Sequence, residues 1–133
     1  MRIINIYQQN ENLEIHTDER GSIADVFYNC EIHHVAVIKS NPGAIRGNHY
    51  HAKTTQHILI TSGRLEYWYR DKNAAGKGKF VVANPGDLVT SDSNEIHALR
   101  IGPDGCEFLA FSSGERGGKD YESDTFRVDS IID

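Results

Sequence analysis

The chain is poor in the residues that cross-link, stiffen or embed a protein. It has two cysteines, three prolines, one methionine and one tryptophan in 133 residues. Cys30 and Cys106 cannot build a disulfide framework, and two reduced, packed thiols are expected rather than a bridge. No run of about 18 apolar residues is present, which excludes a transmembrane helix. The opening MRIINIYQQN turns polar too soon for a signal peptide, so the cytoplasm is the default compartment. Positive charge is also in short supply. The net charge is −5 with histidines neutral. That argues against generic nucleic-acid or anionic-membrane binding. It leaves room for one anionic ligand in a local basic pocket, for which Arg46, Lys53, Arg64 and Arg100 are candidates. Repeats, low-complexity tracts and long amphipathic helices are missing as well.

What remains is ordinary globular composition, 38% hydrophobic and 25% charged. The length fits one compact domain over residues 1–133 that buries a core without staples. Short β-branched and aromatic runs alternate with turn signals, which predicts an all-β sandwich or barrel. The strands are expected at 3–6, 13–16, 22–28, 32–38, 45–51, 56–61, 64–69, 79–82, 87–90, 96–101 and 106–111. Ser62-Gly63 reads as a tight hairpin. Asn41-Pro42-Gly43 and Asn84-Pro85-Gly86-Asp87 read as turns. Residues 71–79 (DKNAAGKGK) read as a hairpin loop, and 114–119 (GERGGK) as a mobile connection. The segment 121–132 alternates weakly, as an edge strand or a short helix would.

The stretch RGNHYHAKTTQ, residues 46–56, carries the densest chemistry. Residues two apart in a strand share a face, so His49 and His51 project together, with Tyr50 opposite. If Gln56 opens the next antiparallel strand, Gln56, Ile58 and Ile60 face inward, and His57, Leu59 and Thr61 outward. A later strand supplies His97. Three imidazoles and one side-chain carbonyl converging in a barrel would hold a divalent metal, with zinc, iron, nickel, copper and manganese all candidates. A His-x-His pair alone is weak evidence, because a strand histidine is usually an ordinary polar residue. Seven histidines occur in all, and His16, His33, His34 and His57 need no chemical role.

Spacing adds context. From Gly43 the chain reads G-x5-H-x-H-x4-Q-x6-G, through His49, His51, Gln56 and Gly63. This resembles the first motif of the cupin superfamily, in which glutamate usually stands where this chain has Gln56. Gly86 and His97 match the second motif, while Asp92, Asn94 and Ile101 replace its proline, glycine and asparagine. The resemblance implies a double-stranded β-helix, the jelly-roll cupin barrel. Three further stretches narrow it. TDERGSIAD (17–25) resembles a segment of dTDP-4-keto-6-deoxyglucose 3,5-epimerases and sugar 3,4-ketoisomerases. RGNH (46–49) resembles the R-G-L-H of those epimerases. DYESDTFR (120–127) is similar to the tail of the ketoisomerases. It is also similar to the tail of the cupin domain that ends capsular-polysaccharide reductase/epimerase proteins, where R-G-N-H-x-H occurs and zinc is bound. His51 and Gln56 match ketoisomerase spacing, whereas His97 is usually missing from that group.

These resemblances imply a cytoplasmic epimerase or ketoisomerase acting on a 4-keto sugar nucleotide in surface-polysaccharide synthesis. His49 would be the general base and His51 a second acid/base or a sugar-orienting group. The Gln56 amide would donate to the keto or enolate oxygen. Arg46 would pair with the diphosphate through its planar fork. Arg20 and Asp25 would contact the nucleotide, with a dimer interface as one route to it. Tyr121 or a barrel tyrosine, Tyr67 or Tyr69, would be the reprotonating acid, and nothing in the sequence selects one; Tyr67 and Tyr69 read more simply as packing. A homodimer is expected, and no organic cofactor. The competing expectation is a metal-binding cupin of another activity, dioxygenase or isomerase, held by His49, His51, Gln56 and His97. A third is a non-catalytic carbohydrate-binding cupin.

Overall fold

The computed structural model describes residues 1–8, 13–114 and 123–133. Ten antiparallel strands are found among them: β1 Arg2–Asn5, β2 Ile15–Asp18, β3 Gly21–Ala24, β4 His34–Ser40, β5 Ile45–Tyr50, β6 Thr55–Asp71, β7 Lys79–Ala83, β8 Asp87–Ser91, β9 Glu95–Ser113 and β10 Phe126–Arg127. Strands β2 and β3 form a hairpin of their own, apart from the main sheet. Two long strands, β6 and β9, run beside each other along their whole length. Their first and second halves belong to different layers. The Gln56–Leu59 part of β6 pairs with β8, and β8 with β1. The Cys106–Ser112 part of β9 pairs with β4. At the other end, Leu65–Tyr69 pairs with β7, while Arg100–His97 pairs with β5. The two bent strands thus fold one network into two facing layers, the expected double-stranded β-helix.

The expected hairpin at Ser62-Gly63 is not there. The chain runs on through these residues as one strand, with register shifts between Ile60 and Ser62 and between Gly63 and Leu65. Across from this corner, Ile101 and Cys106 are the partners of Leu65 and Gly63, so β9 sets residues 102–105 against Arg64 alone. Gly63 has a φ of 74°, and an added Cβ would lie 2.1 Å from the Gly105 carbonyl oxygen. A positive-φ glycine serves a hairpin or a bulge equally well, and here it serves the bulge. The neighbouring runs 96–101 and 106–111 merge for the same reason. The other turn expectations hold. Ala44 N donates to Asn41 O, and Asp87 N to Asn84 O. Residues 72–78 join β6 to β7. Apart from Gly114, the connection at 114–119 lies outside the described residues.

Strand alternation sorts the core into two parts. Ile58, Ile60, Leu65, Tyr67, Val89, Leu99 and Phe108 fill the space between the layers. Trp68, Ile96 and Ala98 face the other way and are covered by Ile131 and Ile132. So the described C-terminal residues, 123–133, have a 3-10 turn at 123–124 and otherwise neither helix nor full edge strand. They pair with β5 for two residues and then lie over the outside of the barrel. Each buried isoleucine there stabilises the contact by roughly 1.5–3 kcal/mol. Both cysteines are free, as expected, but only Cys106 is packed; Cys30 is exposed. Burial pushes the Cys106 thiol up to about 11.

Candidate active site

One end of the interlayer space is an open cavity of about 360 Å³. His49 from β5, His97 from β9, and Gln56, Ile58 and Tyr67 from β6 line it. Arg46 and Arg127 stand among the lining residues, and no carboxylate is found among the described ones.

The local sequence explains how this wall is made. Arg46 and His49 are three apart, which in a regular strand puts them on opposite faces. Here β5 is bulged between Gly47 and His49. Gly47 has a φ of 84° and Asn48 a φ of 58°. The extra residue brings Arg46 and His49 to the same cavity. Gly47 also lets β5 approach β9 closely, since a Cβ there would sit 2.7 Å from the His97 carbonyl oxygen. Asn48 then anchors the tail: its Oδ1 accepts from Ile131 N at 3.0 Å and its carbonyl from Val128 N at 2.9 Å. Arg46 is held by its own contacts, Nε donating to Ser40 Oγ at 2.7 Å and a terminal nitrogen to the Lys39 carbonyl at 3.3 Å.

His49, His51 and His97 form a buried cluster. One ring nitrogen of each lies within 4.8 Å of the others. His51 Nδ1 is 2.8 Å from the Asp124 carbonyl oxygen, and His97 Nδ1 is 3.3 Å from that of Glu95. A ring nitrogen facing a carbonyl donates to it, so in a neutral ring the lone pair sits on Nε2. Tyr67 stacks on His97 with ring centroids 6.2 Å apart. Burial, helped by the charges of Glu95 and Asp92, raises its phenol well above the usual tyrosine value, so it stays neutral.

Asp124 is the hinge pin of the tail. Its carboxylate accepts from Ala52 N, Lys53 N and Thr54 Oγ1. Burial alone would raise its pKa, but the hydrogen bonds from Thr54, Lys53 and Ala52, with the nearby His51, outweigh it and hold the pKa below the ordinary value. A lowered carboxylate pKa stabilises the fold above the unfolded value of about 3.9 and loses that contribution as pH falls through the folded one. Asp124→Asn is therefore expected to cost about 1–3 kcal/mol at pH 7. The gap in urea midpoint between wild type and variant should shrink towards pH 3, and an undiminished gap would refute the assignment.

The structure gathers His49, Gln56, His97 and Arg46 around the cavity, with His51 directly behind His49. Arg20 and Asp25 are elsewhere. Arg20 lies on the β2–β3 hairpin, 2.6 Å from the Asp18 carboxylate, and Asp25 is 3.3 Å from His16 Nε2. Neither lines the cavity in its own chain. Tyr121 lies outside the described residues. Sequence reasoning missed Arg127, Asp124 and Asn48. Gly47-Asn48 was the legible signal for the bulge, but Arg127 and Asp124 depend on a pairing between segments far apart in the chain.

The family profile described as "Polysaccharide biosynthesis C-terminal domain" matches residues 16–98. No curated protein matches the chain. Among solved structures, a 3,4-ketoisomerase from Helicobacter canadensis superposes with a TM-score of 0.71 at 21% identity, covering 96% of this chain and 90% of that one. The dTDP-6-deoxy-D-glucose-3,5-epimerase from Legionella pneumophila Philadelphia 1, solved with dTDP-4-keto-L-rhamnose, gives 0.67 at 15% identity over 96% and 78%. The capsular polysaccharide assembling protein CapF from Staphylococcus aureus gives 0.65 at 21% identity over 87% of this chain but only 32% of that larger one. At these identities the likeness establishes the jelly-roll barrel alone. The profile match spans more than half of the chain, which therefore belongs to the family of polysaccharide biosynthesis C-terminal domains.

Proposed function

We propose that this protein is a sugar-nucleotide isomerase, an epimerase or ketoisomerase that moves a proton on a 4-keto sugar. One observation carries the reading: a buried histidine, His49, lines the same cavity as Arg46 and Gln56. The keto group acidifies the neighbouring C–H. His49 takes that proton as its C–H bond breaks, and the electron pair moves onto the keto oxygen. The Gln56 amide donates to that oxygen as negative charge builds there. Returning the proton to the same carbon from the other face inverts it. Passing the proton of the neighbouring hydroxyl to the enolate oxygen, and the carbon-bound proton to the former carbonyl carbon, shifts the ketone instead. Arg46 holds the diphosphate in its fork, outside the region where bonds change. Neighbours solved with TDP and with dTDP-sugars support a nucleotide-sugar ligand. Incubating a 4-keto nucleotide sugar with the protein in D2O tests this. Deuterium should enter beside the ketone. No exchange, together with no thermal shift from any nucleoside diphosphate, would sink the proposal.

A second reading is favoured by the histidine cluster. Three imidazoles within ligand reach, two with Nδ1 on a backbone carbonyl, fit a divalent metal such as zinc, iron, nickel or manganese. His49, His51 and His97 would hold it, with Gln56 as a neutral fourth group. When bound, such an ion polarises a carbonyl oxygen as a Lewis acid. Elemental analysis should then find about one metal per chain, and His97→Ala should lose it, with affinity falling at least tenfold. Metal-free protein whose melting temperature ignores added divalent ions would rule it out.

The remaining expectations for Arg20 and Asp25 require a homodimer, in which each hairpin serves the other subunit. Val35 and Val37 on the outer face of β4, 57% and 62% exposed, supply apolar surface for such pairing. Sedimentation giving a monomer at micromolar concentration would exclude it.

A further inference from the structure

We infer that Ser91 is a further catalytic residue of this site, a second hydrogen-bond donor beside Gln56 for the oxygen that gains charge when the ketone enolises. The inference rests on the sugar-nucleotide reading and deepens it. In the pairing of β6 with β8, Ser91 stands directly opposite Gln56. Directly opposed residues of an antiparallel pair project from the same side, with Cβ atoms about 4.5–5.5 Å apart. Both residues line the cavity, and Ser91 is only 4% exposed. The next opposed pair on that side, Ile58 and Val89, is buried and apolar. Gln56 and Ser91 are thus the polar step directly above an apolar floor. Among the described residues, neither side chain is spent on a hydrogen bond to the protein.

The reaction needs its donors placed apart from its base. The C–H bond that breaks stands perpendicular to the plane of the carbonyl, whereas donors meet the carbonyl oxygen near that plane. A base and its donors on one wall would compete for one direction. Here they come from facing layers. His49 is on β5, in the layer that holds the Arg100–His97 part of β9 and the Leu65–Tyr69 part of β6. Gln56 and Ser91 belong to the β6–β8 part of the other layer. His49 takes the carbon-bound proton, and the electron pair of that bond forms the new C=C as the carbonyl pair moves onto the oxygen. Ser91 and Gln56 keep their own protons and only donate to that oxygen. A carbonyl oxygen has two lone pairs, and one Gln56 N–H occupies one of them, which leaves the second for the Ser91 O–H. Strand β8 is paired on both edges, to β1 and to β6, so the hydroxyl is mounted on a rigid element before the charge develops.

Deuterium entry from D2O into a 4-keto nucleotide sugar, followed over a range of substrate concentrations, tests this. Ser91→Ala should lower kcat about 10²-fold, the usual worth of one oxyanion donor, with KM nearly constant. Ser91→Thr keeps the hydroxyl and should recover to within about tenfold of wild type. Ser91→Cys is close in size but a weak donor, so it should follow the alanine variant. Melting temperatures near wild type, with nucleoside-diphosphate affinity unchanged, would place the loss in the chemical step rather than in packing. Exchange by Ser91→Ala within about threefold of an active wild type overturns the inference alone. So does a loss carried by KM, or a Ser91→Cys variant as fast as wild type. Wild type that exchanges no deuterium overturns the functional reading and the inference together.

Discussion

Replacing His49 by alanine should lower the rate of deuterium entry into a 4-keto nucleotide sugar by about 10²- to 10⁴-fold, the usual worth of a positioned general base. Nucleotide affinity should change little, because Arg46, the proposed diphosphate contact, is held by Ser40 and Lys39 rather than by His49. The loss should fall on kcat, with KM nearly constant, which separates a proton-transfer role from a binding role. A purely structural role predicts a different outcome. His49 is 7% exposed, so a packing defect would lower the melting temperature and blunt nucleotide binding as well. Exchange that survives within tenfold of wild type would remove His49 as the base and shift attention to its neighbours in the cluster. The arrangement around it favours His49 for the task. It lines the cavity itself, whereas His51 does not and has Nδ1 on the Asp124 carbonyl.

Much of this site was legible because strand chemistry is local. The period of two put His49 with His51, and it placed Gln56, Ile58 and Ile60 on one face. Ile58 and Ile60 are indeed buried and Gln56 lines the cavity, while Thr61 is exposed. The turns at Asn41 and Asn84 were legible for the same reason, since a proline and a glycine there act within four residues. Arg46 reaches the cavity for a reason the period of two denies: the bulge at Gly47-Asn48 adds the residue that restores its face. What stayed hidden depended on register between distant segments. Nothing near Arg127 says that it will lie opposite His49. Nothing near Asp124 says that its carbonyl will meet an imidazole. The Arg20 segment shows the reverse case, a motif noticed in sequence that the fold keeps away from its own cavity.

The corner at Gly63 gives the sharpest test of the architecture that brings these pieces together. Gly63→Ala is expected to cost about 1–2 kcal/mol for a left-handed backbone. Overpacking against Gly105 and Cys106 adds a further ~1–3 kcal/mol. The clash is with backbone, the Gly105 oxygen at 2.1 Å and the Cys106 Cα at 2.9 Å, so no side chain can swing aside. Gly63→Asn separates the two geometries that a positive φ permits. In a hairpin tip open to solvent, asparagine tolerates this conformation and would be nearly neutral. In the bulge it still carries a Cβ into β9, so it should be about as damaging as alanine. Urea midpoints of the two variants measure this directly. A near-neutral asparagine variant would restore the hairpin and undo the continuous β6. Equal, large losses would fix the bend that sets Gln56 in one layer and Tyr67 in the other. That bend is what lets one strand contribute to two walls of the same cavity.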